Sequence, residues 1–236
     1  AMCEATGADV REVSRAIGSD SRIGSKFLDA GPGFGGSCFK KDILNLVYLA
    51  KYFGLKEVAN FWREVVHLND WHQSRISKIV SKKLFNTLNG KKIVILGFAF
   101  KANTNDTRES AAIQICKDLL EEGANLVIHD PKVLSEQISK DLGIKPFDSS
   151  YKNEERNFKE YGSWIKQENI EESFKDADAI LILTEWELYS NIDWEISTKT
   201  MRDPAWLFDA RSIIDPKALI KSKLNFWRIG DGSLNN

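Results

Sequence analysis

The apolar positions of this chain change period once. Up to about residue 88 they recur at helical spacing. Val10, Val13 and Ile17 mark a first helix over roughly Cys3–Ile17. A polar, glycine-rich stretch follows, from Gly18 to Ser37. Ile43, Leu44, Leu46, Val47 and Ala50 predict a helix that begins near Cys38 and is stopped by Gly54. Val58, Phe61, Val65, Leu68, Ile76, Ile79, Val80 and Leu84 predict a long helix from Lys56 or Glu57 to about Leu88. At 1.5 Å per residue it is on the order of 45 Å long, which suits a helix that spans two bodies or forms a dimer interface.

After Asn89-Gly90 the pattern turns to short apolar runs. KKIVILGF reads as a strand, Ser110–Glu122 as a helix and ANLVIHD as a second strand. Further strands are expected at Ala179–Thr184, Ala205–Asp209 and Asn225–Ile229, with helical stretches between them. Such alternation predicts a parallel sheet with crossover helices. DSSYKNEERNFKEYGSW, between Lys145 and Asn169, reads as a polar surface excursion. The fold class is therefore α/β: a helical region at 1–88, then a Rossmann-like parallel-sheet domain at 89–236. The opening residues AMCEATGADVREV are already helical with nothing before them to cap the helix, so the chain is expected to be a fragment.

Composition narrows the function classes. The chain has 236 residues, 42% hydrophobic and 28% charged, with net charge −1. The balanced charge offers no basic stripe for nucleic acid. The longest apolar runs are strand-length, well under the roughly 20 residues that cross a bilayer, so no membrane partner is expected. Three widely spaced cysteines, Cys3, Cys38 and Cys116, do not make a disulfide framework, and a reducing, cytoplasmic setting is expected. His67, His72 and His129 lack metal-ligand spacing, and no metal is expected.

The strongest chemical signal is GPGFGGSCFKKD, from Gly31 to Asp42. Clustered glycines mean a sharp bend or a close approach of the backbone to something. Cys38 follows at a helix start, where backbone N–H groups and the helix dipole favour a thiolate. Lys40 and Lys41 add positive charge, and Asp42 lies four residues on, on the same helical face. A thiol so placed can attack a carbonyl carbon. Taken alone, the segment is equally compatible with an inert cysteine in a tight turn. GFAFK, Gly97–Lys101, follows a strand as a dinucleotide fingerprint would, but Ala99 and Ala102 stand at its second and third glycines.

GFGGSCFKKD, preceded by RIGSKFLDAG, resembles the active-site segment of the UDP-glucose/GDP-mannose dehydrogenase family, and within it the UDP-glucose 6-dehydrogenases. CEATGADVREV, GFAFKANTNDTRES, ILTEW and FDARSIID resemble that family in the same order. The resemblance covers essentially the whole chain. It implies a central helical region and a C-terminal UDP-binding domain, with the family's N-terminal NAD-binding domain absent. The implied reaction is the NAD-dependent four-electron oxidation of UDP-glucose to UDP-glucuronate. Its second step needs a nucleophile, because an aldehyde gives up hydride only after addition.

The resemblance also implies roles. Cys38 matches the nucleophile, and Lys41 and Asp42 its catalytic neighbours. Arg22, Phe27, Leu28, Asp29, Ala30, Gly31, Pro32, Gly33, Phe34, Gly35, Phe100, Lys101 and Arg211 match substrate-binding positions. In the family the counterpart of Arg22 reaches the site of a neighbouring subunit. Cys38, Phe39, Lys40, Lys41 and Arg108 match positions near NAD. From the residues alone, Arg22 and Arg211 read equally as loop arginines and Arg108 as an ion-pair partner of Asp106 or Glu109. The implied partners are a UDP-sugar and further copies of the chain, as a dimer or hexamer joined through the central helices. The alternatives are a GDP-mannose or UDP-N-acetylmannosamine dehydrogenase, or a non-catalytic nucleotide-sugar-binding and dimerisation module.

Overall fold

The computed structural model describes residues 1–147 and 161–233. The chain opens with two short helices, α1 (Met2–Thr6) and α2 (Val10–Gly18), where the apolar spacing predicts one. Two local signals override the period. Gly7 ends α1 in a left-handed conformation (φ 78°), and the Asp9 carboxylate restarts the helix by accepting the N–H of Arg11. Helices α3 (Phe39–Tyr52) and α4 (Lys56–Lys83) form a hairpin that turns at Gly54, φ 74°.

Helix α4 is 28 residues, about 42 Å long. It stops short of Leu88 because Phe85 and Asn86 take positive φ, 67° and 56°. Leu84 and Leu88 are still buried, so the apolar pattern continues past the helix that it predicts. The expected stripe along α4 also divides. Ile76 and Val80 are buried, while Val58, Phe61 and Leu68 face solvent. Ala59, Val66, Asn69, Gln73 and Ser77 turn inward instead.

The remaining elements alternate: β1 (Lys92–Leu96), α5 (Ala111–Glu121), β2 (Asn125–His129), α6 (Ser135–Leu142), β3 (Ser163–Lys166), α7 (Ile170–Phe174) and β4 (Ala179–Ile182). Two single-turn helices, α8 (Glu187–Ser190) and α9 (Trp194–Ser197), precede β5 (Trp206–Asp209) and β6 (Asn225–Arg228). The six strands are all parallel, in the order β3-β2-β1-β4-β5-β6. Apart from Lys92 at the start of β1, the central strands β1 and β4 are apolar and buried because helices cover both faces of the sheet.

Strand β3 corrects the reading of 145–169 as a surface excursion. It is four residues long, at the sheet edge, and only Trp164 in it is buried, which leaves no alternation to read. Residues 148–160 of that stretch lie outside the described residues. One core cluster joins Ile76, Val80, Leu84 and Leu88 to Ile93, Ile95, Ile115, Leu119 and Trp227. The C-terminal half of α4 is thus built into the core of the sheet, which fixes the helices before it relative to the strands. The opposite face packs Val94, Leu96, Phe174, Ile180, Tyr189 and Trp194.

Candidate active site

In a sheet of this order the chain reverses direction between β1 and β4, and a crevice opens outside the carboxyl ends of the strands. Gly97 makes the turn that leaves β1. Its φ is 96°, and a Cβ there would lie 2.3 Å from Cβ of Thr184. The next amides, Phe98 and Ala99, donate to Asp130 Oδ2 at 2.7 and 3.0 Å. Oδ1 of Asp130 accepts the N–H groups of Lys132 and Val133. In a dinucleotide-binding unit the acidic residue after the second strand takes ribose hydroxyls. Here that carboxylate is engaged by four main-chain N–H groups and by the Trp186 indole N–H at 3.3 Å, which adds to the two alanines in GFAFK as a reason against a dinucleotide at this edge.

The glycine segment lies across this edge, and its glycines face protein. A Cβ on Gly35 would sit 2.3 Å from the carbonyl oxygen of Glu109, and one on Gly36 would press on the Phe100 ring at 3.1 Å. The Gly36 N–H donates to the Arg108 carbonyl at 2.8 Å. A Cβ on Gly33 would meet Asn69 Oδ1 at 2.7 Å. The glycines therefore let the main chain of 31–36 lie between α4 and the β1–α5 loop with no side chains in the way. Gly35→Ala is expected to lower stability by about 2 kcal/mol, since the clash is with backbone that cannot rotate away; an apparent Tm equal to that of the parent protein would refute the close approach.

Arg211 closes the other side. Asp209, buried at the end of β5, accepts the N–H groups of Arg211 and Ile214 at 3.0 and 2.8 Å and so shapes the loop. Burial pushes the Asp209 carboxyl up, against the pull of those N–H bonds. The Arg211 guanidinium donates through Nε to the Leu183 carbonyl at 2.7 Å and through Nη2 to the Phe100 carbonyl at 3.0 Å. Nη1 has no hydrogen bond among the described residues, and it points toward Gly31, 3.2 Å from where a Cβ would stand. Burial pulls the Arg211 pKa down, and Glu185, 3.2 Å from Nε, opposes that.

Cys38 is the residue that leads into α3, and its thiol is exposed. Among the described residues the one hydrogen-bonding contact of Sγ is with Ser37 Oγ at 3.5 Å, and it does not cap its helix. Cys116 is its opposite: it is fully buried, and burial pushes its thiol pKa far up. Iodoacetamide at neutral pH should therefore modify Cys38 and leave Cys116 untouched until the protein unfolds. Comparable labelling of both in the native state, read by peptide mass, would contradict these environments.

At this edge the structure brings together Gly31 with Arg211, Gly35 and Gly36 with Phe100, Gly36 with Arg108, and Arg211 with Phe100, while Pro32, Gly33, Phe34, Cys38 and Phe39 lie along the same segment or directly after it. Phe34 and Phe39 meet edge to face at 4.7 Å. Arg108 is exposed and held by Asp106 at 2.7 Å, whose carboxylate pushes the guanidinium pKa up. Lys101 lies over the Phe100 ring. Lys41 and Asp42 project from the first turn of α3 into solvent, 3.9 Å apart. Lys40 instead bridges inward, 3.0 Å from Glu109 and 3.6 Å from Asp70, and so ties α3 to the β1–α5 loop and to α4. Leu28 and Ala30 are half-buried and Asp29 is exposed. Phe27 is fully exposed with φ 63°, and Arg22 is exposed and paired with Asp20 at 2.6 Å.

Three residues of α4 that touch the glycine segment carried no signal in the sequence. Asn69 and Gln73 are buried against Gly33 and Phe34. His72 Nε2 lies 3.0 Å from the Gly31 carbonyl, and since a carbonyl only accepts, that nitrogen carries the proton. Burial lowers the His72 pKa against this hydrogen bond, so the ring donates as a neutral imidazole at pH 7. A buried polar residue on a long helix breaks the apolar period and reads as surface until its partner is seen. No group of histidine, cysteine and carboxylate side chains with metal-holding geometry occurs among the described residues.

Comparison with known proteins places these features in a family. The central domain of the UDP-glucose/GDP-mannose dehydrogenase family matches residues 1–71, and the family's UDP binding domain matches residues 94–216. The chain is 45% identical over 234 residues to UDP-glucose 6-dehydrogenase 4 of Arabidopsis thaliana and 44% identical over 236 residues to UDP-glucose 6-dehydrogenase 2 of Oryza sativa subsp. japonica. Each alignment takes in 98% of this chain and 48% of the relative, so the chain spans about half the length of the curated relatives it matches. A UDP-glucose dehydrogenase structure from the hyperthermophilic archaeon Pyrobaculum islandicum superposes with TM-score 0.74 at 26% identity, over 98% of this chain and 45% of that one. The structure of an NDP-N-acetyl-D-galactosaminuronic acid dehydrogenase from Methanosarcina mazei Go1 shares the fold, with TM-score 0.75 at 24% identity, over the whole of this chain and 47% of its own. The two matched domains contain, respectively, the cysteine loop and the carboxyl edge of the sheet that it lies across, and the chain belongs to the UDP-glucose/GDP-mannose dehydrogenase family.

Proposed function

We propose that this chain supplies the central and UDP-binding parts of an NAD-dependent UDP-glucose 6-dehydrogenase, with residues 1–88 as the central helical region and 89–236 as the UDP-binding domain. One observation carries the reading: an exposed thiol at the start of α3 sits at the end of a glycine segment that runs past the Arg211 guanidinium, whose Nη1 has no hydrogen bond among the described residues. A sugar nucleotide lying along that segment has its diphosphate near Arg211 and Lys101 and its sugar carbon near Cys38. The names of the plant relatives favour UDP-glucose over other sugar nucleotides.

In this reading Cys38 is the nucleophile. Its thiolate adds to the C6 aldehyde that the first oxidation leaves, and the adduct is a thiohemiacetal that still holds a hydrogen on C6. After the second oxidation the carbon stays on Sγ as a thioester until water cleaves it, returning the thiol and releasing the carboxylate. Asp42, one turn into α3, orients or deprotonates that water, and Lys41 favours the developing negative charge. The main chain of Gly31–Gly35 and the residues before it, from Phe27 to Ala30, form the bed of the sugar nucleotide with Phe34 and Phe100.

NAD, when bound, accepts the hydride in both oxidations. The residues around Cys38 suit it: Phe39 has an exposed ring, Arg108 and Lys41 are exposed cations, and no side chain caps the first turn of α3. Lys40 contributes from its ion pairs by holding this rim against the sheet domain. The same reading makes the protein a homo-oligomer joined through the central helices. Leu44, Tyr48, Tyr52, Phe53, Phe61 and Leu68 expose large apolar side chains there, and Arg22 then reaches a neighbouring site. Three unpaired cysteines support a reducing, cytoplasmic compartment. Among the described residues no helix is long and apolar enough to cross a membrane.

The test is turnover by the full-length gene product with UDP-glucose, GDP-mannose and UDP-N-acetylmannosamine in parallel. UDP-glucose is expected to be preferred, with two NADH formed per sugar. Preference for either rival substrate would overturn the substrate assignment, and one NADH per sugar would overturn the four-electron chemistry.

A further inference from the structure

Helix α4 carries a line of buried polar residues, Asn69, Gln73 and Ser77, four apart and so on one face. Ser77 is accounted for by the α4–α5 contact, where its hydroxyl donates to Asp118 at 2.6 Å. Asn69 does something different. Its carboxamide Oδ1 accepts the Phe34 N–H at 2.9 Å, and its Nδ2 donates to the Phe34 carbonyl at 3.2 Å. One side chain thus satisfies both main-chain groups of a single residue, as a neighbouring strand would. Gln73 packs on Gly33 from the next turn, and His72 holds Gly31. Phe34 in turn abuts Phe39, the residue after Cys38.

We propose that Asn69 is a positioning residue for the cysteine: by clamping Phe34 it sets the path of the glycine segment and thereby the place of the Cys38 thiol relative to Arg211. A segment with glycines at 31, 33, 35 and 36 has little conformational preference of its own. Its path has to be imposed from outside, and Asn69 is the side chain that fixes both hydrogen-bonding groups at its midpoint. The inference rests on the proposed dehydrogenase reading for its kinetic consequences, though not for the geometry of the clamp.

Asn69→Ala and Asn69→Asp in the full-length gene product test it, with Ser77→Ala as a control on the same face of the helix. The aspartate keeps the shape and the acceptor, but as a carboxylate it cannot donate to the Phe34 carbonyl. Both Asn69 variants should lower kcat for UDP-glucose oxidation by about 10- to 100-fold with KM changed less than about threefold. Asn69→Asp should recover toward wild type as the pH falls, because a protonated carboxyl donates again. Ser77→Ala should lower the apparent Tm and leave kcat within about twofold. A kcat within twofold of wild type for Asn69→Asp, or an equal loss in Ser77→Ala, overturns the proposal; if Asn69→Ala does not fold, the aspartate variant decides. If the wild type itself does not oxidise UDP-glucose, the functional reading fails separately. The rate of Cys38 alkylation then decides: a change of about threefold or more in Asn69→Asp supports the clamp, and an unchanged rate overturns it.

Discussion

Cys38→Ala is expected to reduce carboxylate formation from UDP-glucose by about 10³-fold or more in the full-length gene product. The size follows from the nucleophilic role proposed for the thiol. Oxidising the C6 alcohol to the aldehyde needs a base and a hydride acceptor but no covalent bond to the protein. Going from aldehyde to acid does need one, because hydride leaves readily only from an sp³ adduct. The variant should therefore form at most about one NADH per bound sugar and release no UDP-glucuronate. Its fold should be unaffected, since Cys38 is exposed and Sγ caps nothing. Chromatography of the products alongside the NADH trace is the measurement. Acid formation within tenfold of wild type would remove Cys38 from the chemistry and leave the adjacent glycines with only their packing role.

The second large effect concerns stability. The Glu4 carboxylate of α1 accepts both terminal nitrogens of Arg75 in α4, at 2.8 and 2.9 Å, and the Gly230 N–H just after β6, at 2.9 Å. One acid thus joins the first helix, the long helix and the last strand. Burial alone would push this carboxyl up. The hydrogen bonds from Arg75 and Gly230, with the Arg75 charge, outweigh it and hold the pKa at about 2, against 4.5 for a free glutamate. A pKa depressed on folding contributes stability that is present above pH 4.5 and is lost as the pH falls toward 2. Glu4→Gln keeps the shape and removes the charge. It should destabilise by on the order of 3 kcal/mol at pH 7, and the difference from wild type should shrink steadily below pH 4.5. Urea unfolding at pH 7 and pH 3 reads both. A loss under about 1 kcal/mol at neutral pH, or one that does not change with pH, would show that the bidentate pair contributes little.

Much of the sheet was legible because its signals are local. KKIVILGF, ANLVIHD and AILILT are apolar runs of strand length, and the helix expected over Ser110–Glu122 is α5, which Ser110 caps by accepting the Ala112 N–H. Cys38 at a helix start was legible for the same reason, since a glycine run ahead of an apolar helical period needs only its own neighbourhood. Strand β3 was not legible. It is an edge strand with one buried side chain, and its pairing with β2 exists only in three dimensions. Nor was the break between α1 and α2 anticipated, because the apolar period runs through it while Gly7 and Asp9 end one helix and begin another.

The same division runs through the candidate site. The chain by itself determined that a cysteine would stand at the mouth of a glycine-rich turn, and that a parallel sheet would end its strands in GFAFK and FDAR. Both follow from residue type and short-range spacing. Tertiary structure alone decided what the glycines are for and what holds them. Gly35 has no room for a side chain because the Glu109 carbonyl stands there, and Asn69 is buried because it serves Phe34, 35 positions away in the chain. A polar residue inside a helix and a glycine inside a loop each look incomplete in sequence. Their partners are supplied by distant segments, and the reason for each residue lies in that contact.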